Sequence, residues 1–349
     1  MSDGGFTYKN AGVDVHAGNE AVRLLRERIK SADHPLVLSG IGGFGGAMRM
    51  PPLKDAVLVA GTDGAGTKVM IAKAMGRFDT IGIDVVAMSV NDVSACGAVP
   101  LFFLDYLVVG TLVPERVAEL VAGVDEGCLR AKCVLLGGET AEHPGHFAHD
   151  DDFDMGGFAV GIAERGELWG PAKVREGDVA VALASSGVHA NGFSLIRRLL
   201  AERALDLRGP FPGGEQTLGE VLLTPTLIYS PVLHDLGHAC EVHAAAHVTG
   251  GGFPDNLGRA VPAELAIALD LDSWELPAVF AWLREAGVDD TDMLATFNCG
   301  VGMVVIAPAD QVGKALATIE RAGHVGWVVG EIVARGDGPA VRYTGALWR

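Results

Sequence analysis

A-G-T-D-G-A-G-T-K, residues 60–68, determines how the first half of this sequence is interpreted. It follows an apolar run at 56–59, typical of a buried strand, and precedes a helical pattern at 69–75. A glycine-rich turn at the start of a helix presents free N–H groups and the positive end of the helix dipole to an anion. Asp63 in such a turn favours a divalent cation between its carboxylate and a phosphate. The order Gly66-Thr67-Lys68 differs from a Walker A loop, and a plain strand-to-helix turn is the alternative interpretation.

Composition indicates a globular protein. With 349 residues, of which 49% are hydrophobic and 20% charged, the chain is long enough for about two domains with buried cores. Its 48 glycines follow no repeat period, which predicts many tight loops near ligands. The net charge of −17 argues against sequence-independent nucleic-acid binding, because that needs a basic surface. An anionic substrate would therefore have to be bound by local donors or a metal.

The cysteines and the apolar runs bear on the compartment. The five cysteines are scattered and form no C-x-x-C pair, which predicts reduced thiols rather than a disulfide framework or a zinc site. The N-terminus has no basic region followed by an apolar core, and no apolar run reaches 18 residues. We therefore expect a cytoplasmic protein with no membrane segment.

Strand and helix patterns alternate along the whole sequence, which predicts an α/β (α+β) fold of two domains, residues 1–165 and 166–349, with the boundary near 164–177. The predicted strands are 56–59, 101–110, 133–136, 155–163, 179–184, 242–248, 264–271 and 299–307. The predicted helices are 20–31 with Asn19 as its cap, 69–75, 80–98, 114–132, 193–204, one starting at Pro254, 277–286 and 309–322.

Acidic side chains recur beside glycines or in apolar surroundings. Asp84 and Asn91 are seven residues apart, so they share one face of the helix at 80–98, and Asp92 follows them. Asp105 interrupts an apolar strand, where a carboxylate is costly unless it is paired, hydrogen-bonded or metal-bound; a buried arginine partner is the alternative. Gly137-Gly138-Glu139-Thr140 is predicted to be a second glycine turn after a strand, with an acid at its tip.

Three further segments carry polar groups or glycines. Ser39–Gly46 holds five glycines and is interpreted as a mobile loop that could close over phosphates, with a flexible connector as the alternative. Ser185–Gly192, with His189 and Asn191 at a predicted helix start, suits an anion or a polar substrate. His247 near a strand end is followed by Thr249 and three glycines, whereas the histidines at 143–149 are typical of an exposed loop.

Taken together, these motifs are more specific than any one of them. They are Y-K-N-A-G-V-D (8–14), G-G-F-G (42–45), G-T-D-G-A-G-T-K (61–68), D-T-I-G-I-D-V-V-A-M (79–88), N-D-V-S-A-C-G-A-V-P (91–100), L-F-F-L-D-Y (101–106), G-G-E-T-A-E (137–142), S-S-G-V-H-A-N-G-F-S-L (185–195), H-V-T-G-G-G-F (247–253) and T-F-N-C-G-V-G-M (296–303). In order and spacing, from about residue 8 to about 335, the sequence closely resembles the phosphoribosylformylglycinamidine cyclo-ligase family, the aminoimidazole ribonucleotide synthetases of de novo purine synthesis. The D-x4-G-A-x-P signature of the wider superfamily is met by Asp92, Gly97, Ala98 and Pro100.

The resemblance implies a homodimer whose N-terminal sheets form a barrel-like core, with ATP bound at the glycine-rich face near that interface. The implied reaction converts formylglycinamidine ribonucleotide and ATP into aminoimidazole ribonucleotide, ADP and phosphate. The formyl amide oxygen would be phosphorylated, and the amidine nitrogen would then close the five-membered ring. Because that intermediate hydrolyses in water, a closing loop is expected, and residues 41–46 are the candidate.

The resemblance also implies roles for individual residues. Asp63, Asp92 and Glu139 would hold Mg²⁺. The ATP contacts would come from Gly42, Gly43, Phe44, Gly45, Gly64, Thr67, Lys68, Asn91, Asp105, Gly137 and Gly138. The ribonucleotide would contact His189, Asn191, Thr249, Gly250 and Gly251. The catalytic set would be Asp63, Lys68, His189 and His247, with either histidine as a possible proton carrier.

Other functions stay open at this point. Another ATP-dependent phosphotransfer enzyme of the superfamily is one alternative. A selenophosphate synthetase is disfavoured because no cysteine precedes Cys96, and a thiamine-monophosphate kinase fits the length but not the segments at 185–192 and 296–303. A nucleotide-binding module without turnover is the alternative from a different class.

Overall fold

A computed structural model describes residues 6–39 and 42–348. The helices are α1 (Val15–Arg28), α2 (Val69–Met75), α3 (Ile81–Ala95), α4 (Pro114–Ala131), α5 (Phe193–Glu202), α6 (Leu218–Leu222), α7 (Ser230–Ala239), α8 (Gly252–Gly258), α9 (Ala278–Glu285), α10 (Asp290–Thr296) and α11 (Val312–Arg321). The strands are β1 (Ala56–Gly64), β2 (Val99–Val109), β3 (Val134–Glu142), β4 (Phe153–Glu164), β5 (Val179–Ala184), β6 (Ala244–His247), β7 (Leu265–Asp270), β8 (Val301–Ala307), β9 (Gly326–Ala334) and β10 (Val341–Thr344). The alternation of helices and strands agrees with the predicted mixed α/β class.

The first sheet has four strands in the order β1-β4-β2-β3. β4 pairs antiparallel with both β1 and β2, and β2 pairs parallel with β3. Helices α3 and α4 pack against one face. On the other face Leu58, Tyr106 and Phe158 are 57%, 48% and 41% exposed. In the single chain this sheet is open on that side and does not close into a barrel.

The second sheet has six strands in the order β10-β7-β9-β5-β8-β6. All its neighbours are antiparallel except β10 and β7. Every residue of β8 is buried, and α7 and α11 pack on one side of the central strands. The continuous apolar run of β8 is therefore explained by cover on both faces of the strand.

Helix α3 lies between the two sheets, and nearly all of its residues are buried. It packs on β1 and β4 of the first sheet and also contacts β6 and α7 from the second half of the chain. The change from the first sheet to the second falls between Glu164 and Val179. Polar side chains on α3 can thus bind groups from both halves.

Two predicted glycine turns are in fact strands. Gly61 and Gly64 lie inside β1, opposite residues of β4, and Gly137–Thr140 belongs to β3. Space explains only one of these glycines: a Cβ at Gly138 would overlap the Asp105 carboxylate, whereas Gly61 and Gly137 have room for a Cβ. On the neighbouring strand β4, a Cβ at Gly157 would likewise overlap the Phe103 ring. Only Ala65–Lys68 turns the chain, as a short 3₁₀ segment before α2.

Some helix boundaries also differ from the prediction. Helix α1 begins at Val15, capped by Asp14, whose carboxylate accepts hydrogen bonds from the N–H groups of His16 and Ala17 at 2.9 and 3.3 Å. Asn19, the predicted cap, lies within this helix. All five cysteines are free thiols, as predicted. None of the helices in the described part of the chain is long and apolar enough to span a bilayer.

Candidate active site at the domain junction

The C-terminal end of α3 joins His247 of β6 through a carboxylate. Asp92 Oδ1 lies 2.9 Å from His247 Nδ1, and Asn91 Nδ2 lies 3.4 Å from His247 Nε2. A proton on Nδ1 satisfies both contacts, because the carboxylate only accepts and the amide nitrogen only donates. The His247 side chain is 1% exposed, whereas that of Asp92 is 52% exposed. Asp92 therefore has oxygen surface free for a further ligand while it fixes the histidine.

Asn91 does not have the free amide that the ATP interpretation requires. Its side-chain oxygen accepts the N–H of Tyr229 at 2.8 Å, and its nitrogen donates to the Leu227 carbonyl at 2.8 Å. The residue is fully buried. These bonds make Asn91 a connection between α3 and the chain before α7.

Asp63 lies near the end of β1, beside Asp92. Its Oδ1 accepts the N–H of Gly64 at 2.7 Å. Partial desolvation raises the pKa of the Asp63 carboxyl, the negative charge of Asp92 raises it further, and His247 opposes the shift. Two carboxylates that repel each other at an exposed strand end suit a cation shared between them.

Lys68 is placed where it cannot contact a phosphate. It is fully buried, and its Nζ lies 3.0 Å from Asp84 Oδ1 and donates to the carbonyls of His189 and Thr224 at 2.9 and 2.8 Å. Burial lowers the pKa of this ammonium, and the Asp84 carboxylate opposes that shift. The assignment of Lys68 to ATP binding and catalysis does not fit this geometry, because all three ammonium donors are used inside the protein.

His189 is buried in a left-handed backbone conformation, with φ of 65°. Its Nε2 faces the N–H of Ser186 at 3.3 Å, so the ring proton is on Nδ1. That Nδ1 has no partner in residues 6–39 and 42–348. Burial holds the pKa of His189 well below its usual value, and the charges of His247 and Lys68 add to the effect. His189 is therefore a neutral hydrogen-bond donor near neutral pH, which does not suit a proton carrier.

The remaining predicted substrate residues also lie at the junction. Asn191 Nδ2 lies 3.7 Å from the Met88 sulfur of α3, and its Oδ1 faces Gly250. Thr249 donates to Asn256 Oδ1 at 3.2 Å, and Gly251 precedes α8 with φ of 90°. The Thr67 hydroxyl lies 3.2 Å from that of Ser194, across the two halves of the chain.

A cavity of about 660 Å³ lies at the β3 edge of the first sheet. Its walls are α1, the loop at 42–46, and the facing parts of β2 and β3. Seven predicted ATP residues line it: Gly42, Gly43, Phe44, Gly45, Asp105, Gly137 and Gly138. The other four, Gly64, Thr67, Lys68 and Asn91, lie at the domain junction instead. Gly40 and Ile41, part of the predicted closing loop, lie outside the described residues.

Asp105 is the buried acid of this cavity. Burial raises the pKa of its carboxyl to about 7, and the nearby charge of Glu139 adds to the shift. The alternative of a buried arginine partner is not met among the hydrogen bonds and ion pairs of the described chain. Asn19 also lines the cavity; its sequence context does not indicate this, because an asparagine before an apolar helical pattern is also typical of a helix cap.

The predicted metal set is not brought together. Glu139 pairs with Tyr106 in the register, so it faces the open side of the sheet, whereas Asp63 and Asp105 are both opposite Gly157 and face the helices. Within the described ranges, no three side chains of His, Cys, Asp or Glu come together as a metal site. The register also places the Cα atoms of Asp63 and Asp105 two strand spacings apart, about 10 Å.

Comparison with known proteins identifies the class of protein. The model for the N-terminal domain of AIR synthase related proteins matches residues 46–163, and that for the C-terminal domain matches residues 175–341. The chain belongs to the AIR synthase related family. It is 47% identical over 333 residues to the phosphoribosylformylglycinamidine cyclo-ligase of Picosynechococcus sp., covering 94% of this chain and 97% of the relative.

Solved structures share the fold at lower identity. A thiamine-monophosphate kinase from Stenotrophomonas maltophilia K279a has a TM-score of 0.68 at 20% identity, covering 94% of this chain and 96% of that one. The hydrogenase maturation protein HypE in complex with ATP has a TM-score of 0.65 at 17% identity, with 93% and 91% covered. At these identities the likeness concerns the fold alone.

Proposed function

We propose that this chain converts formylglycinamidine ribonucleotide and ATP into aminoimidazole ribonucleotide, ADP and phosphate. The observation that carries the proposal is the 47% identity to a cyclo-ligase along nearly the whole of both chains. The geometry supports it, because Asp105 lines a cavity of nucleotide size, and its Cα lies two strand spacings, about 10 Å, from that of Asp63 at the domain junction.

ATP would occupy the cavity beside α1. Main-chain groups of Gly42–Gly45 and Gly137–Gly138 line it, and the apolar side chains of Val22 and Leu25 offer a surface for a base. Phe44 is fully exposed at the loop tip and is free to pack on a ligand. The fold neighbour HypE was solved with ATP, which supports a nucleotide in this fold.

Mg²⁺ would be held by Asp63 and Asp92. Magnesium sites with nucleotides typically use one or two carboxylates and complete the shell with phosphates and water, so a pair of acids is sufficient. Burial is the main cause of the raised pKa of Asp63, and a cation would relieve the further contribution from the negative charge of Asp92. When bound, the ion would neutralise charge on the transferring phosphoryl group. Glu139 is not retained for this role.

The ribonucleotide would bind on the side of the second domain. Asn191 and the turn Thr249–Gly251 present polar groups beside α3, and His189 offers an Nδ1–H donor. The formyl amide oxygen would form a bond to the γ-phosphorus of ATP, and the bond from that phosphorus to ADP would break, so that ADP leaves and an iminophosphate remains. The amidine nitrogen would then add to the formyl carbon, and the C–O bond to phosphate would break. The nitrogen's proton would leave with the phosphate. His247 would not carry it, because its side chain is 1% exposed and its Nε2 already faces the Asn91 amide nitrogen at 3.4 Å; its proposed role is to hold Asp92 in place.

We further propose a cytoplasmic homodimer. The open face of the first sheet exposes Leu58, Tyr106 and Phe158 together, and a second copy of this face would complete a closed barrel. The five free thiols fit a reducing compartment.

The assay is ADP release from Mg-ATP with and without formylglycinamidine ribonucleotide, together with detection of the aromatic amine product. We expect ADP release that depends on the ribonucleotide, with one product formed per ADP. Thiamine monophosphate serves as the control acceptor. ATP binding without turnover would support a nucleotide-binding module, and turnover with thiamine monophosphate alone would support a different phosphotransfer enzyme.

A further inference from the structure

A fully buried ion pair lies where the two halves of the chain meet, and it forms hydrogen bonds to the second half. Lys68 and Asp84, both from the first half, are each 0% exposed, and the ammonium lies 2.9 Å from Asp84 Oδ2 and 3.0 Å from Oδ1. Asp84 also accepts the N–H and the hydroxyl of Thr226 at 2.8 and 2.6 Å. The pair therefore binds both its own domain and the chain that precedes α7.

The same ammonium holds the backbone of a substrate-site residue. Lys68 Nζ donates to the carbonyl of His189 at 2.9 Å, at a residue whose φ of 65° is unfavourable for a side chain with a Cβ. The neighbouring turn at 186–191 carries Asn191, which reaches Met88 on α3. A conformation of this kind persists only where its surroundings hold it, and this bond is a direct restraint on it.

We propose that Lys68 and Asp84 are positioning residues for the reaction: the ion pair holds His189 and its turn against the N-terminal domain, and so sets the geometry in which ribonucleotide and ATP meet. The inference rests on the proposed function. It gives Lys68 a role that replaces phosphate contact, and it gives Asp84 a role where the sequence indicated none. Residues that act this way touch neither substrate, yet misplacement by about 1 Å can lower turnover by about 100-fold.

The charge of Lys68 also affects the pKa of His189. Tyr229 before α7 and Ser186 in its own turn face its ring. The charge of His247 from β6 acts on it, and Lys68, which is paired with Asp84, lies at its carbonyl. Among these the Lys68 and His247 charges lower the pKa of His189, in addition to burial. Removing the lysine charge should therefore raise the pH at which His189 titrates.

A double substitution separates position from stability. Lys68→Met alone leaves the Asp84 charge buried without its partner, so that variant is expected to be unstable. In Lys68→Met with Asp84→Asn, no charge is left, the side chains have nearly the same volume, and the amide oxygen still accepts from Thr226. The double variant thus loses mainly the bonds from the ammonium to the carbonyls of His189 and Thr224. Lys73→Met is the matched control, since Lys73 pairs with Asp151 and Asp152 outside the junction.

The readouts are the thermal midpoint, kcat and KM for both substrates, and the titration of the His189 Cε1 proton by NMR. We expect the double variant to melt well above Lys68→Met, yet to have kcat lowered by about 100-fold and a His189 titration at a pH different from that of the parent chain. The control should match the parent in kcat and in that titration. Recovery of kcat together with the thermal midpoint would overturn the proposal, as would an unchanged His189 titration. If the parent chain releases no ADP with the ribonucleotide, the proposed function fails, and the NMR titration still tests the positioning of His189.

Discussion

Asp63 is the residue on which the phosphotransfer proposal depends most directly. Asp63→Asn should lower kcat by at least about 100-fold, because it removes one of the two carboxylates proposed for Mg²⁺. The pKa of Asp63 is raised in the folded chain, so its ionised form costs stability above its ordinary pKa. The variant should therefore melt no lower than the parent at pH 8. ADP release and thermal melting measure the two effects.

Asp55→Asn is the control for that experiment, since Asp55 precedes β1 and its carboxylate pairs with Arg165 at the surface. It should retain parent activity. Near-parent turnover in Asp63→Asn would remove Asp63 from the metal site, whereas a loss of both turnover and fold would leave Asp63 with a structural role.

Asp105 should make stability depend on pH. Its pKa is about 7 in the folded chain and ordinarily 3.8, so the native state binds the proton more tightly. Stability should then fall as pH rises from about 4 to about 7 and level off above. At about 1.4 kcal/mol per pH unit, the upper limit of the effect is about 4 kcal/mol. Asp105→Asn should be more stable than the parent at pH 8 and about equal at pH 4, as measured by urea unfolding without nucleotide. Equal stability of the two chains at pH 8 would contradict the assignment.

For single residues, the sequence indicated which side chains have a special role better than it indicated what they contact. Asp63, Asp92 and Asp105 stood out because acids beside glycines or inside apolar runs require a reason, and each one is found at the junction or the cavity. Lys68 could not be placed in advance. Its partner Asp84 is 16 residues away and its other acceptors lie more than 100 residues further on, so its burial depends on how the two domains dock.

Among the elements, the strands with closely packed glycines should tolerate substitution least. Gly157 lies in β4, and a Cβ there would overlap the fully buried ring of Phe103 on β2. Gly157→Ala should therefore destabilise the fold by roughly 1–3 kcal/mol, the usual range for overpacking. Gly166→Ala, after the end of β4 and with open space around it, should be nearly neutral. The free energies of unfolding of the two variants, measured in urea, test this difference. Equal values would show that β2 can move to make room for the added methyl group.

The elements that the sequence placed well are the amphipathic helices and the fully apolar strands. α4, α5 and β8 lie close to their predicted bounds because their periodicity reflects burial directly. The glycine runs at 61–66 and 137–138 were predicted to be turns, because a glycine can mark either a chain reversal or a close contact between strands. At Gly138 only the side chain across the sheet, Asp105, distinguishes the two, and that partner is set by register. The open face of β4 likewise could not be predicted from its sequence, because apolar side chains such as Phe158 recur on both faces of the strand.

At the scale of the whole molecule, two domains were predictable from alternating strands and helices, but their contact through α3 was not. Nearly every residue of α3 is buried, which follows from cover by both sheets. The polar side chains of Asp84, Asn91 and Asp92 are explained by their hydrogen bonds to the second half of the chain. This contact also explains why a site assembled from both halves has no compact sequence motif.

If the chain dimerises through the open face of the first sheet, as proposed, one charged side chain on that face should disrupt the dimer. Phe158 is on the central strand β4, 41% exposed, and paired with Leu104 and Thr62 on the open face. Phe158→Glu would bury a carboxylate without a partner in the proposed barrel, so light scattering at micromolar concentration should give about the 36.3 kDa of one chain. The parent, and Val325→Glu on an exposed turn of the second domain, should both give about twice that mass. A monomeric parent would contradict the barrel, and a dimeric Phe158→Glu would move the interface elsewhere.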